Sequence, residues 1–172
     1  MRDPNGNLGQ ARNEMPVRHW GAVLLIFGLV SIALGLPAVA QTGDARVFEK
    51  SSLVIITKSG EHRFSVEIAA DDTQRAQGLM FRPVLAPDHG MLFDFKRDLY
   101  ISMWMRNTLI PLDMLFLDKT GKVTFIHENA VPGSLDTIQS PGRNRAVLEL
   151  PGGTVARLRI AENDVVQHAI FQ

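Results

Sequence analysis

The chain has 172 residues, in which 18 Lys and Arg balance 18 Asp and Glu, and 45% of the residues are apolar. This composition excludes a disordered or collagen-like chain, and the zero formal charge argues against a strongly basic nucleic-acid-binding protein. The sequence contains no cysteine. A thiol nucleophile, a zinc–thiolate cluster and a disulfide scaffold are therefore excluded.

The first 40 residues have the pattern of a secretory signal peptide. Basic residues precede an apolar run over residues 21–36, and Pro-Ala-Val-Ala follows at residues 37–40. Small residues at this place are typical of a cleavage site, so we expect a mature chain that begins at Gln41. The alternative is an uncleaved anchor, because residues 20–40 are long enough to cross a membrane. In both cases we expect the remaining chain outside the cytoplasm, either free in the periplasm or anchored in the inner membrane.

The chain after this leader has the length of one domain. Residues 1–40 contain three basic and two acidic residues, which leaves 15 basic and 16 acidic residues. That balance would not attract an anionic partner, and we expect no nucleic acid to bind. Residues 41–51 are polar and mixed, which indicates a linker, and residues 52–172 are predicted to form a single β domain.

Short apolar stretches with period two predict a mainly β fold. Strands at residues 53–57 and 64–68 flank a Ser-Gly pair, which predicts an antiparallel hairpin. Asp71 stands three residues before Gln74, the spacing of a capping box, and predicts a short helix that ends near residue 80. Further strands are expected at residues 91–95, 99–105, 113–117, 122–127, 146–150, 155–160 and 164–170, with a long loop over residues 129–145. Many short strands with one short helix favour an antiparallel sandwich or barrel.

Polar and aromatic groups are concentrated in residues 103–113. In a strand, Met103 and Met105 point to one face, predicted to be core, while Trp104 and Arg106 point to the other. An arginine beside an indole offers a fork of donors next to a stacking platform, which suits a carboxylate, a phosphate or a sugar ring. The alternative is that Arg106 pairs with an acidic neighbour and holds the sheet together.

Asp113 and Glu149 are carboxylates within apolar runs. Each either faces water from its strand or lies half buried beside a cation. Two such groups on neighbouring strands can act as acid and base if their environments separate their pKa values. A hydrolytic enzyme that uses Asp113 and Glu149 is therefore one hypothesis, and isolated water-facing carboxylates are the alternative.

Five of the seven methionines lie between positions 80 and 114. Thioethers bind Cu(I), and the candidate ligands for a copper site are Met91, Met103, Met105, His89 and His127. Methionine also fills gaps in apolar cores, and the histidines lack the close spacing of a zinc site. We therefore expect no metal and no cofactor.

Four stretches carry a resemblance to a known family. They are RAQGLMFR at residues 75–82, GMLF at 90–93, MWMRNTLIPLD at 103–113 and AVLELPGG at 146–153. In this order they resemble the family called domain of unknown function 192. Its members are small, mostly β domains of bacteria and archaea, commonly behind a signal peptide or an anchor. The resemblance implies that organisation here and implies no activity.

The sequence therefore predicts an exported β domain with a cleft that binds a small anionic or polar ligand. Arg106 is expected to supply charge, Trp104 to stack, and Asn107 and Asp113 to orient hydrogen bonds. The complete set of expected ligand-binding residues is Arg75, Trp104, Arg106, Asn107, Asp113 and Glu149. The alternatives are the hydrolytic enzyme described above and an envelope structural or interaction module without catalysis.

Overall fold

The computed structural model describes residues 47–172, so the predicted leader and residues 41–46 of the predicted linker lie outside the described residues. In chain order the elements are β1 (Glu49–Thr57), β2 (Gly60–Ala69), α1 (Asp72–Gln77), β3 (His89–Met103), β4 (Leu112–Leu117), β5 (Val123–Ala130), β6 (Ile138–Pro151), α2 (Thr154–Leu158), β7 (Val165–Gln167) and the 3-10 helix η1 (Ala169–Phe171). The prediction of a mainly β fold is confirmed, but the structure has α1, α2 and η1 where the sequence predicted one short helix. Within residues 47–172, every helix is too short to span a membrane.

The seven strands form one curled sheet, a half-barrel, in the order β5-β4-β6-β3-β2-β1-β7. An isolated bridge joins Lys122, next to edge strand β5, to Val165 in the opposite edge strand β7. The two edges of the sheet therefore approach each other at one point. All neighbouring strands are antiparallel except β2 and β3, which are parallel. The parallel pair arises because the chain crosses back through α1 and the loop after it before β3 begins.

The β1–β2 hairpin was predicted and is confirmed, with Thr57 paired to Gly60 across a two-residue turn. Gly60 has φ 130°, a conformation that side chains rarely adopt. Strand β1 is longer than predicted, because it begins at Glu49 inside the segment interpreted as linker. Phe48, immediately before it, is buried and extends the fold further toward the amino terminus.

Four predictions of secondary structure were wrong. The strand expected at residues 164–170 is the short strand β7 followed by η1. The two strands expected at residues 91–95 and 99–105 are one strand, β3, with an irregularity after Asp94 where Lys96 has φ 62°. The predicted loop over residues 129–145 ends early, because β6 begins at Ile138. The strand expected at residues 155–160 is instead α2 and the turn that follows it.

The core has two apolar clusters because the central strands β3, β4 and β6 are buried on both faces. One cluster takes side chains from all seven strands, for example Leu53, Leu92 and Val166, which places it on the concave side of the curled sheet. The other cluster, around Met91 and Phe116, lies on the opposite face. Successive side chains of a central strand thus point alternately into the two clusters.

Candidate functional site

A pocket of about 320 Å³ lies between α1, the segment that follows it, and one face of the central strands. We call it the α1 pocket. Its lining residues are Asp72, Arg75, Ala76, Gln77, Gly78, Leu79 and Met80 from α1 and the following segment, Phe93, Phe95, Ser102 and Met103 from β3, Trp104 and Thr108 from the next loop, and Glu149 from β6. The volume lies at the lower end of the range for pockets that hold a small organic molecule.

Helix α1 forms one wall of the pocket, and its first turn is fixed as the sequence predicted. The Asp71 carboxylate accepts a hydrogen bond from the Gln74 backbone N–H at 2.7 Å, and the Gln74 side-chain oxygen accepts one from Ala70 N–H at 3.0 Å. This reciprocal arrangement is close to a capping box. The helix ends at Gly78, where a Cβ atom would come within 3.0 Å of the Phe93 ring. Glycine therefore lets the end of α1 approach β3 and narrow the pocket.

Glu149 is the most unusual group in the pocket. It lies in β6, paired with Met91 of β3 on one side and with Met114 of β4 on the other. The residue is only 4% exposed, and burial raises the pKa of its carboxyl to about 8. Among the described residues, neither a hydrogen bond nor a neighbouring charge counteracts that effect. Among the described residues, no fully buried side-chain oxygen lacks a hydrogen-bond partner, so the Glu149 oxygens reach the open space of the pocket.

The other walls of the pocket are aromatic and thioether groups. Phe93 and Phe95 alternate along β3 and therefore point to the same face, and Met103 near the end of β3 adds a thioether. Trp104 is 48% exposed and stands at the mouth. Sequence reasoning named Trp104 but missed the two phenylalanines, although their period-two spacing would have placed them together.

Arg75 lines the pocket, as predicted, but its charge is already balanced. Its guanidinium forms an ion pair with the Asp72 carboxylate and donates a 2.8 Å hydrogen bond to the Asp94 carbonyl oxygen. It also lies over the Phe95 ring, 5.1 Å from the ring centroid. Arg75 thus attaches α1 to β3 and serves as a wall of the pocket.

Arg106 and Trp104 are adjacent, but Arg106 does not line the α1 pocket. The Arg106 guanidinium lies 5.5 Å from the centroid of the Trp104 ring, and both side chains are exposed. The four ion pairs within residues 47–172 do not include Arg106, so the alternative that it pairs with Asp113 or Glu149 does not hold in this structure. The predicted cation and indole therefore share the outer rim of the pocket.

Asn107 lies beside the pocket without lining it. Its φ of 56° is left-handed, and its carbonyl oxygen accepts a 2.9 Å hydrogen bond from Phe81 N–H. Its side-chain amide is 3.9 Å from the Met80 sulfur. Asn107 therefore joins the loop after β3 to the segment after α1, a positioning role that differs from the ligand contact predicted for it.

The sequence profile of domain of unknown function 192 (DUF192), described as an uncharacterized ACR, matches residues 54–168. The chain belongs to this family. A solved structure from Sinorhizobium meliloti 1021, described as a candidate transcription regulator, is 48% identical, covers 73% of this chain and 98% of its own, and has a TM-score of 0.71. A protein of unknown function from Novosphingobium aromaticivorans DSM 12444 is 36% identical, with coverages of 73% and 89% and a TM-score of 0.70. No curated protein matches the chain.

The four stretches that carry the resemblance to DUF192 meet in this pocket. Residues 75–82 supply the wall from α1, and residues 90–93 supply Phe93. Residues 103–113 supply the mouth, and residues 146–153 supply Glu149. These stretches are far apart in sequence, and the fold brings part of each to the same cavity.

The structure places Asp113 of this DUF192 domain away from the pocket. Asp113 pairs with Leu150 across the strands, whereas Glu149 pairs with Met114, so the two carboxylates point to opposite faces of the sheet. The predicted acid–base pair is therefore not assembled, and Asp113 cannot orient a ligand in the pocket. Its carboxylate instead accepts hydrogen bonds from three backbone N–H groups, those of Asn129 at 2.8 Å, Gly153 at 3.2 Å and Val155 at 2.8 Å.

The five candidate copper ligands are dispersed in the DUF192 domain. Met91 is buried beside Glu149, and Met103 lines the α1 pocket. His89 is exposed and bonds its neighbour Asp88, whereas Met105 and His127 line a different pocket. Across residues 47–172 no group of three or more His, Asp or Glu side chains is arranged to hold a metal.

Proposed function

We propose that this DUF192 domain binds a small polar organic molecule in the α1 pocket. The observation that carries the proposal is the Glu149 carboxyl, which is buried, faces the pocket and has no partner among the described residues. Its oxygens open onto the pocket, so they take their hydrogen bonds from whatever fills it, either water or a ligand. A ligand with a polar group at Glu149 and an apolar body would satisfy both the carboxyl and the surrounding rings.

Each part of the pocket has a distinct role in this proposal. Glu149 fixes the polar end of the ligand, and Trp104 stacks against the part nearest the mouth. Arg75 keeps α1 in place as a wall. Arg106, on the outer rim, contributes only when the ligand carries an anionic group that extends out of the pocket.

A pair of matched variants tests this proposal. Ala76 and Ala156 are both exposed positions within short helices, and only Ala76 lines the α1 pocket. We expect a ligand found by a thermal-melting screen of small polar organic compounds to raise the melting temperature of the wild-type protein and of Ala156→Trp, but not of Ala76→Trp. At a concentration 100 times the Kd, stabilisation of about 2.7 kcal/mol corresponds to a shift on the order of 5–10 °C.

The remaining outcomes of this screen are also informative. A ligand that stabilises Ala76→Trp as strongly as the wild type binds elsewhere, which contradicts the proposal. A screen without any stabilising compound favours the envelope structural or interaction module. For a ligand with an anionic group, Arg106→Ala is expected to reduce the shift, and an unchanged shift would remove Arg106 from the site.

We also propose that the domain functions outside the cytoplasm, in the periplasm or attached to the inner membrane. The apolar run at residues 21–36 and the small residues after it support this proposal. N-terminal sequencing of the protein recovered from a periplasmic extract is expected to begin at Gln41. Recovery of the intact chain in the cytoplasmic fraction would contradict export, and recovery in the membrane fraction would identify an uncleaved anchor.

The residue counts give no support to a nucleic-acid-binding function. The Sinorhizobium meliloti relative is described as a candidate transcription regulator. In this chain the 15 basic and 16 acidic residues after residue 40 leave no excess of positive charge to attract phosphates. We therefore do not extend that description to this domain.

A further inference from the structure

We propose that the ligand of the α1 pocket is an organic ammonium ion, held by the Glu149 carboxylate as counter-ion and by the rings of Phe93 and Phe95 as walls. This inference rests on the proposed function and names the class of molecule that the pocket selects. It differs from the small anionic ligand considered from the sequence, because the described residues place a carboxyl in the cavity and pair its one lining cation, Arg75, with Asp72.

The balance of charge in the pocket favours a cation. Three ionisable side chains line it: Asp72, Arg75 and Glu149. Asp72 and Arg75 form an ion pair with each other, which leaves Glu149 as the unbalanced group. The cross-strand neighbours of Glu149 in β3 and β4 are the uncharged Met91 and Met114. Above about pH 8 an anion would meet an ionised Glu149, and the one cation among the described residues that line the pocket, Arg75, is already paired with Asp72.

The chemistry of the walls favours an ammonium group with N–H donors. A carboxylate has several acceptor positions, and those of Glu149 are unused within the described residues. An ammonium N–H fills them with charge-assisted hydrogen bonds, which are stronger than bonds between neutral groups. The Phe93 ring also attracts a cation, whereas the Phe95 and Trp104 rings, which already face the Arg75 and Arg106 guanidinium groups, contact the apolar body attached to it. A primary or secondary ammonium is therefore a better fit than a quaternary one, which has no N–H to donate.

The proposal predicts a distinctive dependence on pH. In the free protein the Glu149 carboxyl holds its proton up to about pH 8, because burial raises its pKa to that value. An ammonium ion binds the ionised carboxylate, so binding releases the Glu149 proton to solvent. The apparent affinity is then proportional to the fraction of the protein in which Glu149 is ionised. This fraction, and with it the affinity, should rise about 50-fold between pH 6 and pH 8. A neutral hydrogen-bond acceptor would select the protonated carboxyl and bind more weakly as the pH rises.

Three probes of similar size but different charge test this inference: benzylammonium, benzyl alcohol and benzoate. Binding of each is measured by isothermal titration calorimetry at pH 6, 7 and 8 with the wild-type protein, Glu149→Gln and Ala76→Trp. We expect benzylammonium to bind most tightly and to gain about 50-fold in affinity from pH 6 to pH 8. In Glu149→Gln its affinity at pH 8 should fall by at least about tenfold and lose its dependence on pH. Ala76→Trp should block the site.

The other results separate this inference from the proposed function. If benzoate or benzyl alcohol binds more tightly than benzylammonium, and Ala76→Trp abolishes that binding, the pocket is a ligand site but the ligand is not an ammonium ion. If benzylammonium binds with an affinity that does not change with pH, or equally well to Glu149→Gln, the assignment of Glu149 as counter-ion is wrong. If none of the three probes binds, the ammonium inference is overturned, and the broader screen of polar compounds alone decides the proposed function.

Discussion

Replacing Asp113 with alanine is expected to lower the free energy of unfolding by about 3–5 kcal/mol. The Asp113 side chain is fully buried, and its carboxylate accepts hydrogen bonds from the backbone N–H groups of Asn129, Gly153 and Val155. Alanine would leave these donors without their acceptor, and a buried donor that loses its partner costs about 1–3 kcal/mol. Equilibrium unfolding in urea measures the change.

The size of this effect follows from where the three donors lie. Asn129 is near the end of β5, while Gly153 and Val155 are at the beginning of α2. One carboxylate on β4 therefore connects three parts of the chain that are distant in sequence. Without it, we expect the start of α2 to detach and to expose Val155, which packs into the concave core. The loss should therefore exceed that of a typical surface substitution.

Two further variants control for this experiment. Asp113→Asn keeps one acceptor oxygen and places an amide donor where the other oxygen was, so we expect it to lose less stability than Asp113→Ala. Asp136 is an exposed carboxylate that accepts a hydrogen bond from the nearby Ser134 hydroxyl. Asp136→Ala is therefore expected to change stability by less than about 0.5 kcal/mol. A loss below about 1 kcal/mol for Asp113→Ala would show that the three hydrogen bonds are not needed to hold α2.

Local features of this fold were predictable from the sequence because their causes are local. The Ser-Gly pair predicted the β1–β2 hairpin, whose two-residue turn ends just before Gly60, and the spacing of Asp71 and Gln74 predicted the start of α1. The strand predicted over residues 155–160 was wrong for the opposite reason. The apolar pattern of this segment is compatible with a strand. However, the distant carboxylate of Asp113 accepts hydrogen bonds from the backbone N–H groups of Gly153 and Val155, and the short helix α2 forms instead. A tertiary contact of this kind leaves no trace in the local sequence.

The candidate site was predicted only in part, since its geometry depends on strand register. Asp113 and Glu149 look alike in the sequence, each a single carboxylate within an apolar run. In the fold, Asp113 pairs with Leu150 and Glu149 pairs with Met114. The Asp113 side chain therefore points to the concave face, and the Glu149 side chain points to the pocket. Trp104 and Arg75 were predicted and line the pocket, whereas Arg106 is on the rim because β3 ends at Met103 and the chain turns before Arg106 is reached.

The buried carboxyl of Glu149 should give the protein an unusual loss of stability with rising pH. Its pKa is about 8 in the folded protein and 4.5 in an exposed carboxyl. Between these values the folded state holds a proton that the unfolded state has released, so the free energy of unfolding falls as the pH rises. The slope is about 1.4 kcal/mol per pH unit, and the total by pH 8 is on the order of 4 kcal/mol. Below pH 4.5 this contribution disappears.

Comparison with Glu149→Gln isolates the effect from that of other groups. Burial lowers the pKa of His168, which makes the protein less stable as the pH falls below 6.5, and its dependence is common to both proteins. The glutamine amide is also buried, but the free energy of burying it does not depend on pH. Urea unfolding at pH 5, 6, 7 and 8 should therefore show the stability of Glu149→Gln rising relative to that of the wild type by about 3.5 kcal/mol in total between pH 5 and pH 8.

Glu128→Gln provides the matched control, because Glu128 is an exposed strand residue and the substitution removes the same charge. Its difference from the wild type is expected to stay constant from pH 5 to pH 8. A constant difference for Glu149→Gln as well would show that the Glu149 carboxyl is solvated or paired in the folded protein, and the pocket would lose the group on which its function depends. If the slope is found, an ammonium ligand in the pocket should reduce it, because the bound cation stabilises the ionised carboxylate that folding otherwise disfavours.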